Sequence, residues 1–447
     1  MPASEATVAA LRRLVRGHQA ERRLPSVSVA VFRGDEVLYA EAVGRADVEA
    51  GRDATPDTQY RVGSITKTFT AVAIMQLRDA GELALDDRLS DHVGEATHEG
   101  PTIRRLLSHL SGLQREPPGE VWESMDDPSV DELLERLAEA ERVLDSGSYW
   151  HYSNLGYALL GEVVARRSGM PATRYIDERV IGPLGLTRTT WSPAEPHAQG
   201  YYVSPYSDAV EREHHAELRG SAPIGQLWST ATDLAAWGAF IAAGNDDVLP
   251  ARTVEEMHAF QALVPYVKGW RMGWGLGFAL YRDEDRILAG HGGAMPGFLA
   301  GLVVSKEDGI GAAVLANTSA GGFTETLALK LARRAYELEP KEAEQWAVAG
   351  APPEAIAGLL GRWWSEGVEW VFTYRRGKLE ASPGESQRGE LEPTVFEPDG
   401  EDRFRPVSGL ERGELLRVVR DEQGVAVKLY WATYPFTRAP QVFGAPG

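Results

Sequence analysis

Gly63-Ser64-Ile65-Thr66-Lys67-Thr68 is the stretch whose reading decides the fold. It opens the run Thr68-Phe69-Thr70-Ala71-Val72-Ala73-Ile74-Met75-Gln76-Leu77, which reads as a largely apolar helix. Residues three apart on a helix share a face, so Ser64 and Lys67 stand side by side. A hydroxyl beside an amine is chemically useful when the amine is neutral, and burial against the apolar run favours neutrality. Lysine is scarce: seven of the 46 basic residues, the rest being arginine, which does not deprotonate in a protein. No other Ser-x-x-Lys occurs in the chain. Placed behind Tyr60-Arg61-Val62-Gly63 at a helix N-terminus, Ser64 also has free backbone N–H groups and the positive dipole end beside it. Alone, the motif fits a solvated helix start as well.

Composition narrows the partners. The 447 residues suffice for two or three domains, and 43% hydrophobic with 25% charged residues is an ordinary globular balance. A net charge of −19 argues against nucleic acid and against anionic membrane surfaces, both of which need a basic footprint. The absence of cysteine excludes disulfides, thiolate metal sites and cysteine catalysis, and fits a cytoplasmic protein. Met1–Arg23 alternates apolar and charged residues with no apolar h-region, so no signal peptide is read there. No apolar run approaches the ~18 residues of a membrane span. No cofactor is expected, and no metal: the pair His214-His215 lacks carboxylate or histidine partners at helical spacing.

Taken in order, residues 4–20 read as an amphipathic helix. Ser26–Phe32 and Glu36–Ala42 read as strands joined by Arg33-Gly34-Asp35. Ile103–Leu113 reads as a helix closing at Gly112, 114–130 as a surface loop, and Val130–Leu144 and 155–168 as helices. The stretch 190–222 reads as a long irregular wall or lid. Ser229–Ala243 returns to helix. Trp274–Tyr281, Arg286–His291, Leu299–Ser305 and Gly311–Asn317 read as successive strands before a helix over Glu325–Leu338. The division expected is a domain over 1–340, a linker over 341–353 and a small antiparallel β-barrel over 354–447, where short strands are broken by Arg376-Gly377, Asp399-Gly400 and Gln423-Gly424.

Two later motifs give the serine–lysine pair its company. Tyr152-Ser153-Asn154 precedes the apolar helix beginning at Leu155, and His291-Gly292-Gly293 follows the strand Arg286–Gly290. Each has a plainer reading: Tyr152 as a core aromatic, Asn154 as a helix cap, His291 as a structural histidine. His109 reads as structural, bonding backbone near Ser111. Trp122, Trp150, Tyr202 and Trp228 are candidate pocket walls.

In order and spacing, Ser64-x-x-Lys67, Tyr152-x-Asn154 and His291-x-Gly293 resemble the penicillin-recognising serine hydrolases: class C β-lactamases, D-Ala-D-Ala carboxypeptidases, D-aminopeptidases and β-lactamase-like carboxylesterases. Leu106-Leu107-Ser108-His109-Leu110-Ser111-Gly112-Leu113, Ile181-Gly182-Pro183-Leu184-Gly185-Leu186 and Trp228–Ala235 extend the likeness across residues 5–340. The C-terminal segment resembles the lipocalin-like appendages of some members.

The resemblance implies an α/β fold, an antiparallel sheet flanked by helices plus a mainly helical subdomain, and an acyl-enzyme on Ser64. Lys67 and Tyr152 would share the base role, each holding the other's pKa down, with the proton assigned to neither. The N–H groups of Ser64 and Ala294 would form the oxyanion hole. Asn154 would bond the acyl side chain or tune Lys67. His291, where many relatives carry lysine, would polarise Tyr152 or meet a substrate carboxylate, with a charge that varies near neutral pH. Gly292 and Gly293 would let substrate approach the strand. Without the lysine cation, efficient penicillin hydrolysis is disfavoured. The expected substrates are small esters, short peptides or amides, with weak β-lactam hydrolysis. The alternatives are a D-Ala-D-Ala carboxypeptidase or β-lactamase proper, and a catalytically silent acyl-accepting protein. Homo-oligomerisation is left open.

Overall fold

The computed structural model describes residues 3–125, 127–265, 269–341, 345–384 and 392–441. Packing divides the chain into Met1–Glu342 and Ala343–Gly447.

The first unit is built on a nine-stranded antiparallel sheet. From one edge its order is Arg52–Asp53, Glu36–Asp47, Ser26–Arg33, Ile310–Ala316, Phe298–Ser305, Arg286–Met295, Ala279–Asp283, Met272–Trp274 and Ala262–Leu263. Both faces are covered, so the strand Ser26–Arg33 is buried from Ser26 to Phe32, Ser26 and Ser28 included. Val27, Val29 and Val31 meet Leu11, Val15, Leu327 and Leu331 of the helices Glu5–Arg22 and Thr324–Leu338. Ala30 and Phe32 point the other way, into the core formed with Phe69 and Trp237 of the helices Thr66–Asp79 and Ala231–Ala243. The α/β architecture expected from the sequence is the one observed.

Several local expectations are corrected. The helix read over Ile103–Leu113 stops at Leu107, because the Ser108 hydroxyl bonds back to the Arg104 carbonyl and His109 turns left-handed at φ 56°. Val130–Leu144 is helical only over Val130–Glu135, then forms one 3-10 turn, Leu137–Glu139. The segment 114–130 contains a helical turn, Val121–Ser124, and 190–222 contains the hairpin Tyr201–Val203/Val210–Arg212. The run Trp274–Tyr281 is two strands, Met272–Trp274 and Ala279–Asp283, separated where Gly277 adopts φ 91°.

The second unit contains a closed eight-stranded antiparallel barrel running from Gly361–Ser365 to Tyr434–Thr437, each strand paired with its sequence neighbour and the ends joined at Trp364 and Thr437. Trp363, Phe372, Phe396, Leu429 and Trp431 belong to its buried core. The Arg376-Gly377 turn has positive φ at both residues, the geometry that suits a two-residue hairpin.

Candidate active site

Ser64 lies in the 3-10 turn Gly63–Ile65 that runs directly into the helix Thr66–Asp79. This helix is buried from Thr66 to Met75, so its threonines must be satisfied internally. Thr68 Oγ1 donates to the Ile65 carbonyl at 2.7 Å and accepts from Trp237 Nε1 at 2.9 Å, while Thr70 Oγ1 donates to the Pro223 carbonyl at 2.8 Å. Just ahead of the turn, the buried Arg61 donates to the Ala216 carbonyl (2.6 Å) and to Gln226 Oε1 (2.7 Å). The serine is thus presented by a rigid, cross-tied segment.

Lys67 is fully buried, and its Nζ donates to Ser64 Oγ at 3.0 Å and to the Ile224 carbonyl at 2.9 Å. Burial brings its pKa down from 10.5 to about 7, against the raising pull of Glu116 and with a smaller lowering push from Arg115. Half of the amine is therefore neutral near pH 7. Tyr152 hydrogen-bonds to the Ser64 side chain, and its ring centroid lies 5.2 Å from Lys67 Nζ. Burial pushes the Tyr152 phenol up, and its bond to Ser64 offsets this only in part. The mutual lowering expected from the sequence is corrected for the tyrosine: desolvation outweighs the bond to Ser64 and the Arg115 charge, and Tyr152 keeps its proton.

Ser153, not Asn154, caps the helix Asn154–Ser168, its hydroxyl accepting from Gly156 N at 3.0 Å and donating to the Gln114 carbonyl at 2.7 Å. Ser153 N in turn donates to His109 Nδ1 at 3.1 Å, so His109 supports the Tyr152-Asn154 segment and not the backbone near Ser111. Ser153→Ala is expected to lower stability by about 1–2 kcal/mol, measured as the shift in the urea midpoint of the first unit. A variant as stable as the parent would refute this coupling.

Asn154 gives both its amide bonds to Glu116, at 2.8 and 2.9 Å, and its buried Oδ1 has no partner among the described residues. Glu116 also faces Arg115, with 3.4 Å between Arg115 Nε and Oε1. Neither residue figured as a site candidate in the sequence reading, although both lie within three residues of the Leu106–Leu113 segment.

The strand Arg286–Met295 is paired on one side by Phe298–Ser305 from Leu288 to Met295, while its other neighbour, Ala279–Asp283, ends opposite Gly290. His291–Met295 is thereby a free edge facing the serine turn. The approach is close enough to demand glycine at two places. A Cβ on Gly63, which has φ 53°, would lie 2.7 Å from Ala294 N, and one on Gly293 would lie 2.0 Å from the Val62 carbonyl oxygen. His291 Nδ1 bonds the Gly292 carbonyl, while its buried Nε2 has no partner among the described residues. Burial, helped by the Lys67 charge, lowers its pKa to about 3. The expectation of a charge varying near neutral pH is corrected: His291 is neutral there.

These residues line one cavity of about 500 Å³ that holds Ser64, Lys67, Tyr152, Asn154, His291, Gly293 and Ala294 together. Arg115, Glu116, Asp127, Trp274 and Glu325 join them unpredicted, and Trp122 and Trp150 line the cavity as anticipated. Tyr202 and Trp228 are not among the lining residues. The former is 42% exposed, and the latter is buried against His215 and Phe298. Among the described residues no group of three or more His, Cys, Asp or Glu could hold a metal, and no helix is long and apolar enough to cross a membrane.

Comparison with known proteins places this geometry. Residues 11–337 match the family model described as Beta-lactamase, and residues 352–438 match a domain of unknown function, DUF7586. Over 245 residues the chain is 33% identical to "Beta-lactamase-like protein 2" of Dictyostelium discoideum, covering 52% of this chain but only 44% of that relative's length. It is 30% identical over 365 residues to "Esterase EstB" of Burkholderia gladioli, covering 71% of this chain and 92% of the esterase. Among solved structures, the octameric penicillin-binding protein homologue from Pyrococcus abyssi superposes with a TM-score of 0.65 at 23% identity, over 96% of this chain and 100% of that one. On the family match, which covers the whole of the sheet and helices that hold Ser64, the chain belongs to the beta-lactamase family.

Proposed function

We propose that the chain is a serine hydrolase that cleaves small carboxylic esters and amides through an acyl-Ser64 intermediate. The observation that carries this reading is the fully buried Lys67 amine, 3.0 Å from Ser64 Oγ with a pKa of about 7. As Ser64 Oγ bonds to the substrate carbonyl carbon, its proton passes to neutral Lys67. The N–H groups of Ser64 and Ala294 receive the carbonyl oxygen as it gains charge. The leaving alcohol or amine departs with the Tyr152 hydroxyl proton, which Lys67 replaces. Water then adds to the acyl carbon, giving its proton back to the same couple, and Ser64 leaves reprotonated with the free acid. Asn154 orients the acyl side chain, and His291 accepts a hydrogen bond near Tyr152.

The ester reading is supported by the likeness to EstB. Weak activity on β-lactams is part of the proposal, weak because neutral His291 offers a substrate carboxylate no cation. The chemistry is assigned to a domain over 1–340 and a supporting role to the barrel over 354–447. Self-assembly is proposed on the likeness to the octameric homologue, and a cytoplasmic setting on the cysteine-free composition.

The test is mass spectrometry of the protein quenched during turnover of p-nitrophenyl butyrate. A butyryl group on the peptide carrying Ser64, with continued p-nitrophenol release after the burst, is the expected result. A stoichiometric burst without turnover would instead favour an acyl-accepting binder, and an acyl group mapped elsewhere would overturn the reading.

A further inference from the structure

Gly292 and Gly301 face each other across two neighbouring strands. Together they bare a patch of the sheet on which the helix Thr324–Leu338 begins. A Cβ on Gly301 would come within 2.7 Å of Glu325 N, and one on Gly292 within 1.9 Å of Glu325 Oε1 and 2.5 Å of its Cδ. The Glu325 carboxyl therefore lies over Gly292, in space that any side chain at that position would fill. From that position it reaches over the free strand edge and into the wall of the serine pocket.

Other enclosed acids of this unit have side-chain partners: Asp177 accepts from Trp191 and Asp233 from Thr189. Asp283 is held by Arg286 and Arg333, and Glu116 by Asn154 and Arg115. Glu325 has no such partner among the described residues: burial pushes its carboxyl up, and the contact that opposes this is its own backbone N–H. No compensating charge comes from the strand end, since His291 is neutral. A half-buried carboxylate without a cation still pays for lost hydration, so a cationic ligand group placed there is bound and an anionic one is refused.

Its side of the pocket follows from its neighbours. Gly292, beneath the carboxyl, adjoins His291, whose ring centroid lies 6.2 Å from that of Tyr152, whereas Glu116 is held by Asn154, the residue assigned to the acyl side chain. Tyr152 gives its proton to the departing group, so Glu325 stands beside that group.

We propose that Glu325 is a specificity-determining residue: its carboxylate, laid over Gly292, selects substrates whose leaving group carries a positive charge and refuses those with a carboxylate there. This rests on the acyl-Ser64 reading. The test compares kcat/KM at pH 8 for three acetate esters with a common acyl group. Their leaving alcohols are choline, its neutral isostere 3,3-dimethylbutanol, and the anion 4-hydroxybutanoate. The wild-type chain should prefer the choline ester over the neutral one by roughly tenfold and over the anionic one by roughly 100-fold, as an unscreened charge pair predicts. Glu325→Gln should bring both ratios within about threefold of one, because the matched shape remains and only the charge goes. Gly292→Ala, which keeps the carboxylate but displaces it, should shrink the same ratios. Each ratio is internal to one preparation, so partial misfolding of a variant leaves it readable. Equal rates for the three esters in the wild type, or ratios unchanged in Glu325→Gln, would overturn the inference while acylation of Ser64 by p-nitrophenyl butyrate still upheld the hydrolase. Absence of any acyl-Ser64 would sink the hydrolase reading itself.

Discussion

Lys67→Met is expected to lower kcat/KM for p-nitrophenyl butyrate by roughly 1,000-fold to 10,000-fold, the range general-base removal costs, while making the protein more stable. Both effects have one cause. A free lysine holds its proton up to 10.5, but Lys67 releases it at about 7 because it is buried. Below pH 7 the native state carries a charged amine away from water, a cost on the order of 5 kcal/mol. Between pH 7 and 10.5 unfolding takes up a proton, so native stability rises with pH across that window. Methionine fills a similar volume without the amine. It forfeits the bond to the Ile224 carbonyl, leaving a net gain on the order of 2 kcal/mol at pH 6. Urea midpoints of the two proteins at pH 6 and pH 9 measure this, and the gap between them should narrow at the higher pH. The wild-type kcat/KM should climb from acid through a midpoint near 7, as Lys67 becomes neutral. A profile flat over that range, or a Lys67→Met variant with parental activity, would remove Lys67 from the base role.

The same pKa values decide a question the motifs left open. Read as residue types, an amine beside a phenol can share one proton in either order. Lys67 is fully buried and Tyr152 partly so, and enclosure acts on them oppositely in chemical terms: it neutralises the lysine by removing its proton and the tyrosine by retaining it. In the proposed mechanism Lys67 is then the base and Tyr152 the relay that hands a proton onward. Burial depth was legible for the lysine, whose helix reads as apolar from Thr68 to Leu77. It was not legible for Tyr152, whose surroundings of His109, Trp274 and His291 come from segments far apart in the chain.

That contrast runs through the molecule. Strands and long helices were readable because both rest on local periodicity, as in Ser26–Phe32 and Glu325–Leu338. The segment Ile103–Leu113 was misread because one residue in the left-handed region, His109, stops a helix whose pattern continues. Glu325 was invisible for another reason. Its role depends on two glycines in different strands meeting in register, and neither Gly292 nor Gly301 signals the other in sequence. The pairing of Asn154 with Glu116 is likewise tertiary: the sequence reading made Asn154 a candidate cap, but Ser153 takes that duty and leaves the Asn154 amide to orient Glu116.

The tightest tertiary constraint gives the second large effect, on Gly293. Gly293→Ala is expected to cut kcat/KM by roughly 100-fold to 1,000-fold and to cost about 1–3 kcal/mol of stability. The added Cβ would meet the Val62 carbonyl oxygen at 2.0 Å and its carbon at 2.9 Å, with Ala300 Cβ at 3.2 Å behind it. None of these is the movable end of a flexible side chain, so relief requires the strand edge and the serine turn to part. Val62 stands two residues before Ser64, and Ala294 follows Gly293 directly. Parting therefore separates the two N–H groups assigned to the oxyanion, and kcat should fall with little change in KM. Gly292→Ala provides the contrast on the same strand: its Cβ meets the Glu325 carboxyl, which can swing aside, so Ser64 acylation should persist there while the leaving-group preference fades. Burst kinetics with p-nitrophenyl butyrate, run beside a thermal melt, distinguish the two. If Gly293→Ala acylated as fast as the parent, the strand edge would have no part in holding the oxyanion.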